Sequence, residues 1–135
     1  MFLTKECNYA IRIVRCLVGS ETDSDKITME MICQREDVPQ PFAYKILKKL
    51  EHAGIVTVYR GSNGGYLLAK APHSITLFDV VSAVDKNLFL KDCLKNGFEC
   101  PLNTDGNYCG VHKALMRVQE MLMNALKDNT IQELI

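Results

Sequence analysis

The chain has 135 residues, 47% of them hydrophobic and 24% charged, and its 16 basic and 16 acidic residues cancel to a formal net charge of zero. That composition excludes a disordered or fibrous chain and suits one globular domain, large enough to bury a core yet small enough to gain from a partner subunit. A zero balance gives no support of itself to nucleic-acid binding, and no window reaches the roughly 18 apolar residues that a membrane span needs.

The N-terminal stretch "MFLTKECNYAIRIVRCLVG" is interrupted by Lys5, Glu6, Arg12 and Arg15. It reads as an amphipathic helix rather than the apolar run of a secretory signal. Thr4 can cap this helix, and Cys7, Ala10, Ile13, Val14 and Leu17 fall on one face. The polar segment "GSETDSDK" ends it. A cytoplasmic location is expected, and thiols there stay reduced, so six cysteines argue for metal or redox chemistry more than for structural bridges.

A second, short helix starts at Thr28, with Ile27 and Ile32 placed as a hydrophobic staple, and ends near Arg35. After the turn "REDVPQP", Pro41 suits the first turn of a third helix that runs to about Ala53. Phe42, Ile46, Leu47, Leu50 and Ala53 are expected to face inward, with Gly54 as the C-terminal stop. Tyr44, Lys45, Lys48 and Lys49 occupy the outer face. Two helices joined by a tight turn, the second basic outside, form the helix-turn-helix pattern.

Next, Val56, Val58, Tyr66 and Leu68 alternate around "RGSNGG", predicting a two-stranded hairpin whose turn tolerates positive φ at Asn63, Gly64 and Gly65. A basic-tipped hairpin after a helix-turn-helix is a wing. Thr76 caps a fourth helix, with Ile75 and Val80 as staple and Asp79 favouring its N-terminus. Further on, Val111, Leu115, Val118, Leu122 and Ala125 repeat at steps of 4, 3, 4, 3. That seam predicts a long helix wanting another beside it.

Two constellations carry chemistry. Residues 39 to 72 hold Lys45, Lys48, Lys49, Arg60 and Lys70 against one acid, Glu51, a local excess of +4 on a neutral protein. Such a stripe can bind phosphates, and Arg60 at a wing tip suits a narrow minor groove. A solvated face with an ordinary hairpin explains the same charges. The second constellation is Cys93, Cys100, Cys109 and His112, spaced C-x6-C-x8-C-x2-H. It lacks the paired C-x2-C knuckles of structural zinc. Zinc, a disulfide and an iron–sulfur cluster with one imidazole ligand all stay open. Cys7, Cys16 and Cys33 fall within helices, where cysteine is more often a small core residue.

From "ITMEMICQREDVPQPFAYKILKKLEHAGIV" through "VYRGSNGGYLLAKAPHSITLFDVVSAVD" and the three cysteines, the chain resembles the bacterial Rrf-two family of winged-helix regulators. The stretch "RGSNGGYLL" looks like the family's wing signature RGxxGGYxL. The resemblance implies a homodimer on a palindromic DNA operator, a dimer interface at Val111, Leu115, Val118, Leu122 and Ala125, and DNA contacts from the third helix and wing. Those contacts would come from Thr28, Gln40, Tyr44, Lys45, Lys48, Lys49, Arg60, Ser62, Asn63, Gly64 and Gly65.

It also implies an iron–sulfur cluster on Cys93, Cys100 and Cys109, [2Fe–2S] ahead of [4Fe–4S]. The C-x2-H pattern is similar to that of the family's IscR-like branch and makes His112 the fourth ligand. Another branch uses an aspartate near the start of the first helix. The matching residue here is Asn8, a poor iron ligand, and Cys7 is an outside candidate.

The expected fold is therefore mainly α: a winged helix-turn-helix over 1–86 with a two-stranded β wing, a cysteine-rich loop over 87–110, and a long C-terminal dimerisation helix and tail over 111–135. No catalytic arrangement of Ser/His/Asp, paired carboxylates or a phosphate-binding loop stands out. The expected function is cluster-dependent transcriptional regulation that senses iron, redox or nitric oxide status. The rival readings are an iron–sulfur electron carrier or cluster store and a zinc-stabilised repressor.

Overall fold

The computed structural model describes residues 3–20, 22–102 and 109–135. Five α-helices and one hairpin follow in the order α1 (Lys5–Cys16), α2 (Met29–Glu36), α3 (Gln40–His52), β1 (Val56–Tyr59), β2 (Gly65–Leu68), α4 (Leu77–Val84) and α5 (Gly110–Asp128). This is a mainly helical winged helix-turn-helix. No helix among the described residues is long and apolar enough to cross a membrane.

Local sequence rules set the helix ends. The Thr4 hydroxyl accepts from the Cys7 amide, Thr28 does the same for Met31, and Thr76 forms a reciprocal capping box with Asp79. Gly54, at φ 76°, ends α3. There the Gly54 amide donates to Glu51 and that of Ile55 to Leu50, so two carbonyls that the helix leaves open find donors. A side chain at Gly54 would force the same bend through a left-handed conformation.

The core is built around α1. Its buried face, Cys7, Ala10, Ile13, Val14 and Leu17, packs against α2, α3 and α4, and burying each larger aliphatic contributes roughly 1.5–3 kcal/mol. From α3 come Ala43, Ile46, Leu47 and Leu50. Two residues expected inside are not. Phe42 lies at the flank, 45% exposed, with its ring edge-on to Tyr9 at 5.6 Å, because the inward stripe runs through 43, 46, 47 and 50, about 100° of helix away. Ala53 lies beyond the last turn and is exposed.

An ion pair that sequence patterning did not reveal holds the helix-turn-helix to α1. Arg15 grips the buried carboxylate of Glu36, which raises the Arg15 pKa further above its ordinary value. Arg12 donates to the Asp37 carbonyl at 3.3 Å. Asp37, at φ 51°, is the one non-glycine residue with positive φ among those described, a conformation aspartate tolerates. It makes the turn into α3.

The C-terminal tail returns to this core. A 3-10 turn, Ile131–Leu134, follows α5; Ile131 is fully buried and its amide donates to Ile75, while Leu77 donates to Asn129. Thus α5 is anchored at its C-terminal end to the body that carries the wing.

The wing strands pair antiparallel, Val56 with Leu68 and Val58 with Tyr66. Residue 27 adds a third short rung: Ile27 and Tyr66 exchange both backbone bonds. The turn differs from expectation. Positive φ occurs at Gly61, 97°, and not at Asn63, Gly64 or Gly65. The last two glycines answer to space instead. A Cβ on Gly64 would crowd the Tyr59 carbonyl and lie 2.9 Å from that of Gly61, and one on Gly65 would lie 2.9 Å from Lys26 Cβ and 3.1 Å from the Ile27 carbonyl. Gly65→Ala should therefore destabilise the fold by about 1–3 kcal/mol. Urea denaturation checks this, and an unchanged midpoint would mean the Ile27 rung yields freely.

Candidate functional site

On α3, Gln40, Tyr44 and Lys48 recur every fourth residue along an exposed stripe, with Lys45 beside them. The Lys48 ammonium stands 4.8 Å from the centre of the Tyr44 ring, a cation–π contact that restrains it without neutralising it. Lys49 belongs elsewhere. It pairs with Glu6 at 2.6 Å and donates to the Val84 carbonyl at 3.2 Å, tying α3 to α1 and α4. Lys49, also expected among the DNA contacts, sits one step of 100° round from Lys48, at the flank of the outer face.

Across from α3, the wing presents exposed Arg60, Ser62 and Asn63, while Gly64 is half-buried and Gly65 buried. A cleft joins the two elements, lined by Tyr44, Leu47, Lys48, Glu51, Val58, Arg60 and Tyr66. Burial first, and then Tyr44, pushes the Tyr66 phenol above its ordinary pKa, with Arg60 opposing. Tyr66 therefore stays a neutral hydroxyl. Lys48 from α3 and Arg60 from the wing both line the cleft.

Thr28, also expected at the interface, is half-buried and occupied as the α2 cap. Sequence patterning does not single out Lys26. Its ammonium lies 4.4 Å from the Tyr59 ring centre and donates to the Asn63 carbonyl at 3.3 Å, so it braces the wing from outside. The sequence signal was its place directly before Ile27, the residue that pairs with Tyr66.

The six cysteines are all free of disulfides. Cys7, the outside candidate for a fourth ligand, is buried in the core and accepts a hydrogen bond from the Thr4 hydroxyl. Asn8 is exposed on α1. Cys16 and Cys33 are half-buried, and burial pushes both thiols above their ordinary pKa. They stay protonated and poorly nucleophilic.

The loop cysteines differ. Cys93 sits in a 3-10 turn, Asp92–Leu94, that packs on α5; Cys100 follows in irregular chain; both are half-buried. Cys109 is the N-cap of α5, where its sulfur accepts the His112 amide at 3.4 Å. His112 is buried, 5% exposed. Three cysteine thiols and an imidazole are a donor set that fits soft iron. Yet no three His, Cys, Asp or Glu side chains among the described residues gather at one point. Ligation would need the loop to close, and residues 103–108 between Cys100 and Cys109 lie outside the described part.

On α5, Val111, Val118 and Met121 are exposed at 68%, 51% and 72%. Leu115 and Leu122 are half-buried, and Ala125 is exposed. A neighbouring seam about 100° round the helix, His112, Leu115, Gln119, Leu122 and Leu126, faces the body of the protein, with His112 and Leu126 buried.

A basic helix beside a basic-tipped hairpin on a helix-turn-helix frame defines a winged-helix DNA-binding protein. The chain belongs to the Rrf2 family, whose model, described as "Iron-dependent Transcriptional regulator", matches residues 3–135. It is a family of DNA-binding transcriptional regulators and not of enzymes. Over 137 residues the chain is 34% identical to protein aau3 of Rhizobium meliloti (strain 1021), covering all of this chain and 85% of that protein. It is 30% identical to the HTH-type transcriptional regulator NsrR of Geobacillus kaustophilus (strain HTA426), covering all of this chain and 90% of the relative. The fold is shared with CymR, "the Global Cysteine Regulator of B. subtilis", at a TM-score of 0.76 and 19% identity over 99% of this chain and 95% of that one.

Proposed function

We propose that the protein is an iron–sulfur-dependent transcriptional regulator that acts in the cytoplasm as a homodimer on a palindromic operator. The observation that carries the DNA half is the pair of exposed cations, Lys48 on α3 and Arg60 on the wing, that line the cleft between the two elements. A recognition helix in a major groove and a wing on the neighbouring minor groove need cations at those two places. Gln40, Tyr44 and Lys45 reach base edges or phosphates from α3; Ser62 and Asn63 do so from the wing.

The donor chemistry of Cys93, Cys100, Cys109 and His112 supports a cluster, [2Fe–2S] ahead of [4Fe–4S]. The C-x2-H pairing favours the IscR-like branch. When bound, such a cluster supplies a redox- and iron-sensitive cross-link between the loop and the start of α5.

The test is operator binding by Arg60→Ala and Lys48→Ala at several salt concentrations. Both variants should fold as the wild type and bind more weakly. Lys48→Ala should lower the slope of log K against log salt by roughly one unit, the signature of a lost phosphate contact. Unchanged affinity for both would remove the α3 and wing surface from recognition.

A further inference from the structure

We propose that Gln119 is a positioning residue: its carboxamide fastens the segment entering the cysteine loop onto α5, and so sets where the Cys93 thiol stands relative to Cys109 and His112. This rests on the reading of those residues as metal ligands. Gln119 Nε2 donates to the Leu88 carbonyl at 2.7 Å, and its Oε1 accepts from the Leu90 amide at 2.8 Å. Two bonds from one planar group fix the direction of residues 88–90 as well as their distance from the helix.

The place of this glutamine in the pattern is informative. His112, Leu115, Gln119, Leu122 and Leu126 form the inward seam of α5 at steps of 3, 4, 3, 4, and Gln119 is its one uncharged amide among apolar neighbours and a histidine. A glutamine kept on a partly buried seam must satisfy both ends of its amide. Here it does so with the backbone of an irregular segment. Segment 88–90 enters the turn Asp92–Leu94, which also packs on α5. Cys93 follows Leu90 by three residues, so the thiol is held within roughly 10 Å of chain from the clamp. Two helical turns separate Gln119 from His112, roughly 10 Å along the same seam. The clamp and the proposed ligand at the helix start thus share one rigid element, and the flexible reach of Cys93 is reduced to a short tether.

The experiment compares Gln119→Met, which keeps the shape and loses both bonds, with Gln119→Glu, which can still accept from Leu90 but cannot donate to Leu88. In Gln119→Met, hydrogen exchange of the Leu90 amide should rise about tenfold or more, while amides in the α1 core keep wild-type protection. Binding of cadmium ion to anaerobic apo-protein, followed by thiolate-to-metal absorption, should weaken by about tenfold, as for other residues that orient ligands. Gln119→Glu should fall between Met and wild type in both readouts. Unchanged Leu90 exchange in Gln119→Met would show there is no clamp. Faster exchange with unchanged cadmium affinity would show that the clamp does not position the thiol. If Cys93→Ser bound cadmium as tightly as wild type, the ligand reading itself would fall, and the proposal with it.

Discussion

Val118→Asp combined with Met121→Asp should leave the protein folded and monomeric at micromolar concentration. Val111, Ala114, Val118, Met121 and Ala125 recur at steps of 3, 4, 3, 4 on a face of α5 about 100° round from the seam that meets its own core, and every one of them is exposed in the single chain. Steps of that kind describe a seam for a second helix. Leu115 and Leu122, placed on the seam by periodicity alone, are half-buried and shared between this face and the inner one. Carboxylates at 118 and 121 cost little in a monomer, where both positions meet water. In a dimer they would be buried without partners at several kcal/mol, which at about 3 kcal/mol already weakens association more than a hundredfold. Sedimentation equilibrium reads the outcome, with circular dichroism confirming helix content. A double variant that remains dimeric would show that α5 is not the interface.

Much of this architecture was legible because it is local. Caps at Thr4, Thr28 and Thr76 and the stop at Gly54 are short-range chemistry, and each is present. What escaped depends on partners distant in sequence. Nothing near Lys49 in the chain announces Glu6, 43 residues away, and nothing near Arg15 announces Glu36. The wing signature marks a turn, but two of its glycines serve a different purpose from the one their type suggests. Backbone freedom is needed at Gly61, whereas Gly64 and Gly65 are small because other backbone passes close by. Gln119 shows the same blindness. Periodicity cannot tell a solvated glutamine from one bonded to a loop 31 and 29 residues earlier.

Cluster and DNA should be coupled, and the coupling is expected to be large. Drawing Cys93, Cys100 and Cys109 toward His112 would join the loop to the N-terminal end of α5, whose other end is already fixed to the wing-bearing core through Asn129 and Ile131. In a dimer made through α5, a change at one end of that helix alters the placement of two wings on two half-sites, whose spacing on DNA is fixed by the helical repeat. Binding free energies linked in this way are reciprocal and typically ~1–3 kcal/mol, or ~5–150-fold in affinity.

The direct measurement is a titration of one labelled operator, at fixed salt and without oxygen, with cluster-loaded protein, with apo-protein and with Cys100→Ala. The cluster content of each sample is read from its visible and electron-paramagnetic resonance spectra. The account predicts that apo-protein and Cys100→Ala bind alike and that both differ from the loaded protein by at least ~5-fold. Equal affinities for all three, with the cluster present in the first, would contradict it and leave the cysteine loop without a part in DNA recognition.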